Sequence, residues 1–196
     1  QPVDTSFAPG HAPAPLLFMA PALAVFMGWA IHDDLGLDST ALWSHISAGI
    51  RGAHDRLGRV VGAAVWQVPA VVIDLLMVAW TGRWEALPAV TGACLALYGC
   101  ALAWSCLASV LLPYETLAPG DSPMRSRTSG TAFLAALIQM AAILLLLAVC
   151  SPVLGAAVYG VVQGAPVWGW VALVAGGVWC GLLLWGGVVF GGRVLD

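Results

Sequence analysis

TAFLAALIQMAAILLLLAVC, residues 131–150, runs for twenty residues without a charge. At 1.5 Å of rise per residue, a helix of that length crosses the ~30 Å hydrocarbon core of a bilayer. Four more stretches of the same character surround it, at residues 13–31, 60–80, 86–112 and 167–190. The pattern predicts an all-α fold: a polytopic transmembrane helical bundle of five spanning helices, forming one domain over residues 1–196. The 86–112 and 167–190 stretches exceed the minimum length, which implies tilt or extension beyond the lipid. Pro21 and Pro69 are placed to kink the first and second helices.

Composition leads to the same solvent. Hydrophobic residues make up 61% of the chain, charged residues 9%, and mean hydropathy is +0.93, whereas soluble domains carry about 25% charged residues. A net charge of −3 with no basic block offers no footprint for nucleic acid. All seven cations are Arg, so neither a G-x-x-x-x-G-K phosphate loop nor a Schiff-base lysine can be built. Cys94, Cys100, Cys106, Cys150 and Cys180 fall inside apolar runs at spacings unlike C-x-x-C or a zinc site, which reads as helix packing. No nucleophile–base pair, paired carboxylates or metal set emerges, so the expectation is a non-enzymatic chain with no catalytic residue, metal or cofactor of its own. His32, Asp33 and Asp34, after the first span, read as a cap or solvated helix end in preference to a metal site. None of the four His falls mid-membrane, which argues against haem. The first thirteen residues are rich in Pro and Ala with no Arg, unlike a secretory or transit signal. Together with an opening Gln, they suggest a processed or partial chain.

Orientation follows from the Arg residues, because short cytoplasmic loops hold the positive charge. Arg51, Arg56 and Arg59 crowd the connection after the first span, and Arg125 and Arg127 mark that after the third. The links at 81–85 and 151–166 contain one cation, Arg83, while Arg193 lies near the C-terminus. The arrangement expected is a multi-pass plasma-membrane protein with the N-terminus of this chain outside and its C-terminus in the cytoplasm. Trp80, Trp84, Trp168 and Trp170 would then form an outer aromatic belt.

The connection DSTALWSHISAGIRGAHDRLGR, residues 38–59, is the most informative polar segment. Asp38 or Ser39 can cap a helix, and Ala41, Leu42, Ile46 and Ile50 recur at near-helical spacing, so a short cytoplasmic interfacial helix is expected. Its polar side would carry His45 and the Arg cluster. On pattern alone, such a helix either rests on the inner leaflet, with Arg meeting lipid phosphate, or docks on a partner.

Three motifs resemble a known family. Trp43-x-His45-x-x-Ala48-Gly49-x-x-Gly52-x-x-Asp55-Arg56-Leu57-Gly58-Arg59 resembles the W-x-H-x-x-A-G-x-x-G-x-x-D-R-L-G-R pattern of large actinobacterial ABC-2-type permeases, ahead of a membrane helix as in that family. The tract L-P-Y-E-T-L-A-P-G-D-S-P, residues 112–123, is similar to that family's L-P-Y-P-x-x-A-P-G-D-x-P, and G-G-R-V-L-D, residues 191–196, to its G-G-R-x-L-D close. Glu115 replaces a usual Pro and Met124 a usual aromatic. The family's N-terminal half has no counterpart, so the resemblance covers the C-terminal half of such a permease. It implies a membrane subunit of an ABC exporter that contacts an ABC ATPase subunit, a second copy or other half of the permease, and membrane lipid, with ATP and Mg held on the ATPase. Trp43, His45, Gly49, Arg51, Asp55, Arg56 and Arg59 would couple to the ATPase, with Trp43 partly buried and the Arg side chains reaching that partner or lipid phosphate. Pro113, Tyr114, Pro119, Gly120, Asp121 and Pro123 would form a second cytoplasmic loop beside them. The competing reading is a non-transporting anchor or assembly subunit, favoured by the few polar groups within the membrane.

Those groups are Gln67, Asp74 and Gln139. Each Gln can bridge helices with hydrogen bonds worth about 0.6 kcal/mol on average. A charged Asp near the bilayer centre costs about 2.5–3.5 kcal/mol. Asp74 is either a substrate or proton contact or, about 21 Å along its helix from Val60, reaches headgroups or Arg83, and its depth favours the second. Gly177-x-x-x-Gly181 and Gly187-x-x-x-Gly191 would let the last helix approach a neighbour closely.

Overall fold

The computed structural model describes residues 14–38, 42–113 and 129–196. In order these form α1 (Ala14–Trp29), α2 (Asp34–Asp38), α3 (Leu42–Ser47), α4 (Gly52–Trp80), a 3-10 turn (Trp84–Ala86), α5 (Leu87–Leu111), α6 (Ser129–Val162) and α7 (Pro166–Leu195), with no strand among the described residues. The all-α bundle is as expected. Helices α4 to α7 are long and apolar enough to cross a membrane, and α1 is a shorter apolar helix. Many large side chains on their outer faces are exposed, among them Val65, Leu144, Leu182 and Trp185, the surface that hydrocarbon rather than water covers.

Two helices differ from the lengths read in the sequence. Helix α4 begins at Gly52, not near 60, so the D-R-L-G-R motif occupies its first turns instead of a separate interfacial element. Helix α6 continues twelve residues past Cys150, through Ser151 and Pro152, which leaves only residues 163–165 to link it to α7. Pro152 lacks the N–H that would bond the carbonyl of Ala148. The Ser151 hydroxyl donates to that carbonyl at 2.7 Å, so the helix passes the proline with the freed acceptor satisfied.

Helix α5 is the centre of the bundle: 67% of its spanning window is buried, against 17% for α4 and for α7. Its sequence explains the position, since Ala, Gly, Cys and Ser recur on every face and let neighbours approach to backbone contact. A Cβ added at Gly99 would lie 2.5 Å from the Cα of Cys180, and one at Gly187 would lie 2.5 Å from the Cα of Ala103. Gly92 and Gly176 meet backbone to backbone. Of the two expected small-residue motifs, Gly187 and Gly191 do pack on α5, whereas Gly177 and Gly181 face open space and Gly176 takes their place at the contact. The 3.6-residue period carries the contact face from Ala172 through Gly176 and Cys180 to Gly187, and puts 177 and 181 beside it.

Apolar clusters fix the helix directions. Leu17, Ala20 and Ala24 of α1 pack with Val78 at the end of α4 and with Ala86, Val90 and Cys94. Helix α1 therefore starts where α4 ends and α5 begins. At this end also lie Trp80, Trp84, Trp168 and Trp170, all substantially exposed, with Trp168 edge-on to Tyr159 at 5.4 Å. The opposite end gathers the starts of α4 and α6, the last turns of α5 and α7, and the short helices α2 and α3.

Candidate functional site

That opposite end is where the charges meet. Arg56, in the second turn of α4, is 1% exposed despite its size. One Nη donates to Asp34 Oδ1 of α2 at 3.0 Å and to Ser109 Oγ of α5 at 2.6 Å, while the other donates to Asp55 Oδ2 at 2.5 Å. Arg59, one turn on, donates through Nε to the same Asp55 oxygen at 2.9 Å and pairs with Asp38 and, at 3.5 Å, with Asp34. Three helices are thereby joined through two guanidiniums. A guanidinium suits this task because it carries five donors in a rigid fork and stays charged when buried.

Asp55 links the network to α3. Its other oxygen, Oδ1, lies 2.7 Å from His45 Nδ1. An ionised carboxylate only accepts, so Nδ1 carries the hydrogen in this contact. Asp34, Asp38 and Asp55 set three negative charges against the two of Arg56 and Arg59. Between His45 and Asp55 the chain turns at Gly49, whose φ of +63° places it in the left-handed region that ends helices and suits glycine.

The C-terminal motif joins the same place. Asp196 Oδ1 accepts a 2.7 Å bond from the backbone N–H of Gly52, the first residue of α4, so it caps a helix whose preceding residue, Arg51, supplies no side-chain cap. Gly52 and Ala53 meet the backbone of Gly192 with no room for a Cβ at Gly192. The first residues of α4, Gly52 and Ala53, and the G-G-R-V-L-D close are thus packed together across a separation of 144 residues between Gly52 and Asp196.

Two features of the 38–59 segment stand out in the chain by itself. Arg56 and Arg59 point inward to carboxylates of the same chain, because an unpaired buried guanidinium is more costly than a paired one. Trp43, expected to be partly buried, is 70% exposed. With Ile46 and Ile50, also exposed, it forms an apolar edge on and beyond α3, and Arg51 and His54 are exposed beside it. Pro113 is exposed just after α5; Tyr114, Pro119, Gly120, Asp121 and Pro123 lie outside the described residues.

Within the bundle, the two glutamines each join helices. Gln67 is fully buried on α4 and accepts from the Tyr98 hydroxyl of α5 at 2.8 Å. Gln139 accepts from two indoles, Trp29 at 3.0 Å and Trp104 at 2.7 Å, tying α6 to α1 and α5. Indole N–H groups only donate, which fixes the side-chain oxygen toward them and leaves the Gln139 amide nitrogen without a partner. Asp74 is partly exposed on α4 and makes no ion pair with Arg83, among the described residues.

Sequence reading missed Ser109, Asp34 and Asp38 as ion-network partners and Asp196 as a cap. A usable signal existed for the acids. Asp34 and Asp38 follow one span as closely as Arg56 and Arg59 precede the next, and charges near a membrane segment seek one another. Ser109, inside an apolar helix, carries no such signal. Comparison with protein-family models, with curated proteins and with solved structures gives no significant match for this chain.

Proposed function

We propose that this chain is the permease subunit of an ABC-type exporter of the plasma membrane, with α2, α3 and the start of α4 facing the cytoplasm and receiving motion from a separate ATPase. The observation that carries this reading is a mechanical one. Helix α3 presents an exposed apolar edge, Trp43 and Ile46, and is tied by His45 to Asp55, which belongs to the ion network holding α2, α4 and α5. A force applied at Trp43 is delivered to three helices of the bundle at once. A membrane-surface helix that only rested on lipid would have no need of that connection. The resemblance of the three motifs to ABC-2-type permeases supports the same conclusion and supplies the partner class: an ATPase that holds ATP and Mg, with a second copy or another half-permease completing the pathway.

The exposed edge has the composition of an interface anchor. Truncating a buried Trp at the centre of an interface commonly costs 2 kcal/mol or more, roughly thirtyfold in affinity. Trp43→Ala should therefore insert normally yet release the ATPase subunit that co-purifies with the wild-type chain. Retention of an active, substrate-stimulated ATPase by the Trp43→Ala protein would rule the docking role out.

One observation favours the anchor-subunit alternative. Two of the three intramembrane polar side chains named above, Gln67 and Gln139, are engaged between helices, which leaves Asp74 to meet a polar cargo. Under that alternative the partner co-purifies but its ATP hydrolysis is indifferent to this chain.

A further inference from the structure

A groove of about 700 Å³ runs between α1, α5 and α6, with Phe18, Pro21, Val25, Ala93, Leu147 and Val158 among its walls. Its volume is that of a small-molecule site. Its shape is more specific. The lining on α6 extends from Leu147 to Val162, about 22 Å of helix at 1.5 Å per residue, so the groove is long, apolar and partly open along its side. That length matches the reach of an extended hydrocarbon chain.

The groove has one charged residue, and it sits at one end. Arg83 lies in the turn between α4 and α5, beside the Trp-rich end of the bundle, half-buried against otherwise apolar walls. Among the described residues, no hydrogen bond or ion pair engages its guanidinium, in contrast to Arg56 and Arg59. A guanidinium next to apolar surface and without a partner is placed to receive an anion, and it binds a carboxylate through two parallel N–H···O bonds. A single Arg balances one negative charge, which a carboxylate brings and a phosphate monoester exceeds.

We propose that this groove binds a long-chain fatty carboxylate, with the head group on Arg83 and the tail along α1, α5 and α6. The inference stands apart from the exporter reading, since it requires only the groove and its terminal charge. Saturable binding of radiolabelled palmitate to the purified chain in phosphatidylcholine nanodiscs tests it. Binding should approach one per chain, weaken at least tenfold in Arg83→Gln, persist in Arg83→Lys, and vanish in Val158→Trp, where a bulky ring fills the groove from a half-exposed position. Hexadecyltrimethylammonium should fail to compete. Non-saturable partitioning alone, equal palmitate affinity in a helical and monodisperse Arg83→Gln protein, or full competition by the cationic amphiphile would each overturn the assignment.

Discussion

Replacing Arg56 by leucine removes the guanidinium that holds Asp34, Asp55 and Ser109 together. The magnitude follows from what is left behind. Arg56 is 1% exposed, and without it Asp34 loses its 3.0 Å bond and keeps only Arg59 at 3.5 Å, while Ser109 Oγ loses a 2.6 Å donor inside the bundle. Breaking a buried pair by deleting one partner costs about 3–5 kcal/mol. For a chain of this length each kcal/mol moves the melting point by about 2–4 °C, so the expected fall is about 6–20 °C. Thermal unfolding of the purified protein in detergent, followed by a thiol-reactive dye, reads this directly, because Cys94, Cys100, Cys106 and Cys150 are buried until the helices separate. Arg59→Leu should cost less than half as much, since its side chain is 16% exposed and water can take over part of its role. Combining Arg56→Leu with Asp34→Leu should recover part of the loss by removing the orphaned carboxylate. An Arg56→Leu protein melting within about 2 °C of wild type, or one less affected than Arg59→Leu, would refute the network as the fastening of this end.

Gln139→Leu leaves the Trp29 and Trp104 indoles without an acceptor and should destabilise by about 1–3 kcal/mol, with a change in tryptophan fluorescence that Gln139→Glu does not reproduce in sign. Gly176→Val drives a side chain into the Gly92 backbone and should prevent the α5–α7 contact, read as loss of monodisperse protein, whereas Gly177→Val, facing open space, should be silent. Asp74→Asn should leave transport within a few-fold of wild type; loss of transport at normal expression would assign Asp74 to the substrate or proton path.

The class of fold was legible because five apolar stretches, only one of them interrupted by a charge, at Asp74, have the length that lipid demands. Helix ends were less so. The apolar run read from the sequence stops at Cys150, before Ser151-Pro152, yet the serine hydroxyl satisfies the carbonyl that the proline leaves free and the helix continues. The segment around Trp43 reads in the sequence as one piece of chain, but its division into α3, a glycine turn and the start of α4 depends on tertiary contacts with Asp34, Ser109 and Asp196 that lie 22 to 144 residues away from their partners in the chain. For the same reason the Arg residues were read outward: linear sequence reveals a cluster of cations, and only the fold reveals which carboxylates face it. The small-residue motifs erred by one position, as a 3.6-residue period allows when the partner helix is unknown.

On the proposed function, motion enters at α3 and reaches the spanning helices through His45 and Asp55. His45→Ala cuts that connection while leaving Trp43, Ile46 and the Arg56 pairings in place. Substrate-stimulated ATP hydrolysis in the reconstituted complex is the measurement that decides it. The His45→Ala chain should retain its ATPase subunit with wild-type affinity but lose the stimulation. Stimulation equal to wild type, with the subunit still bound, would contradict it.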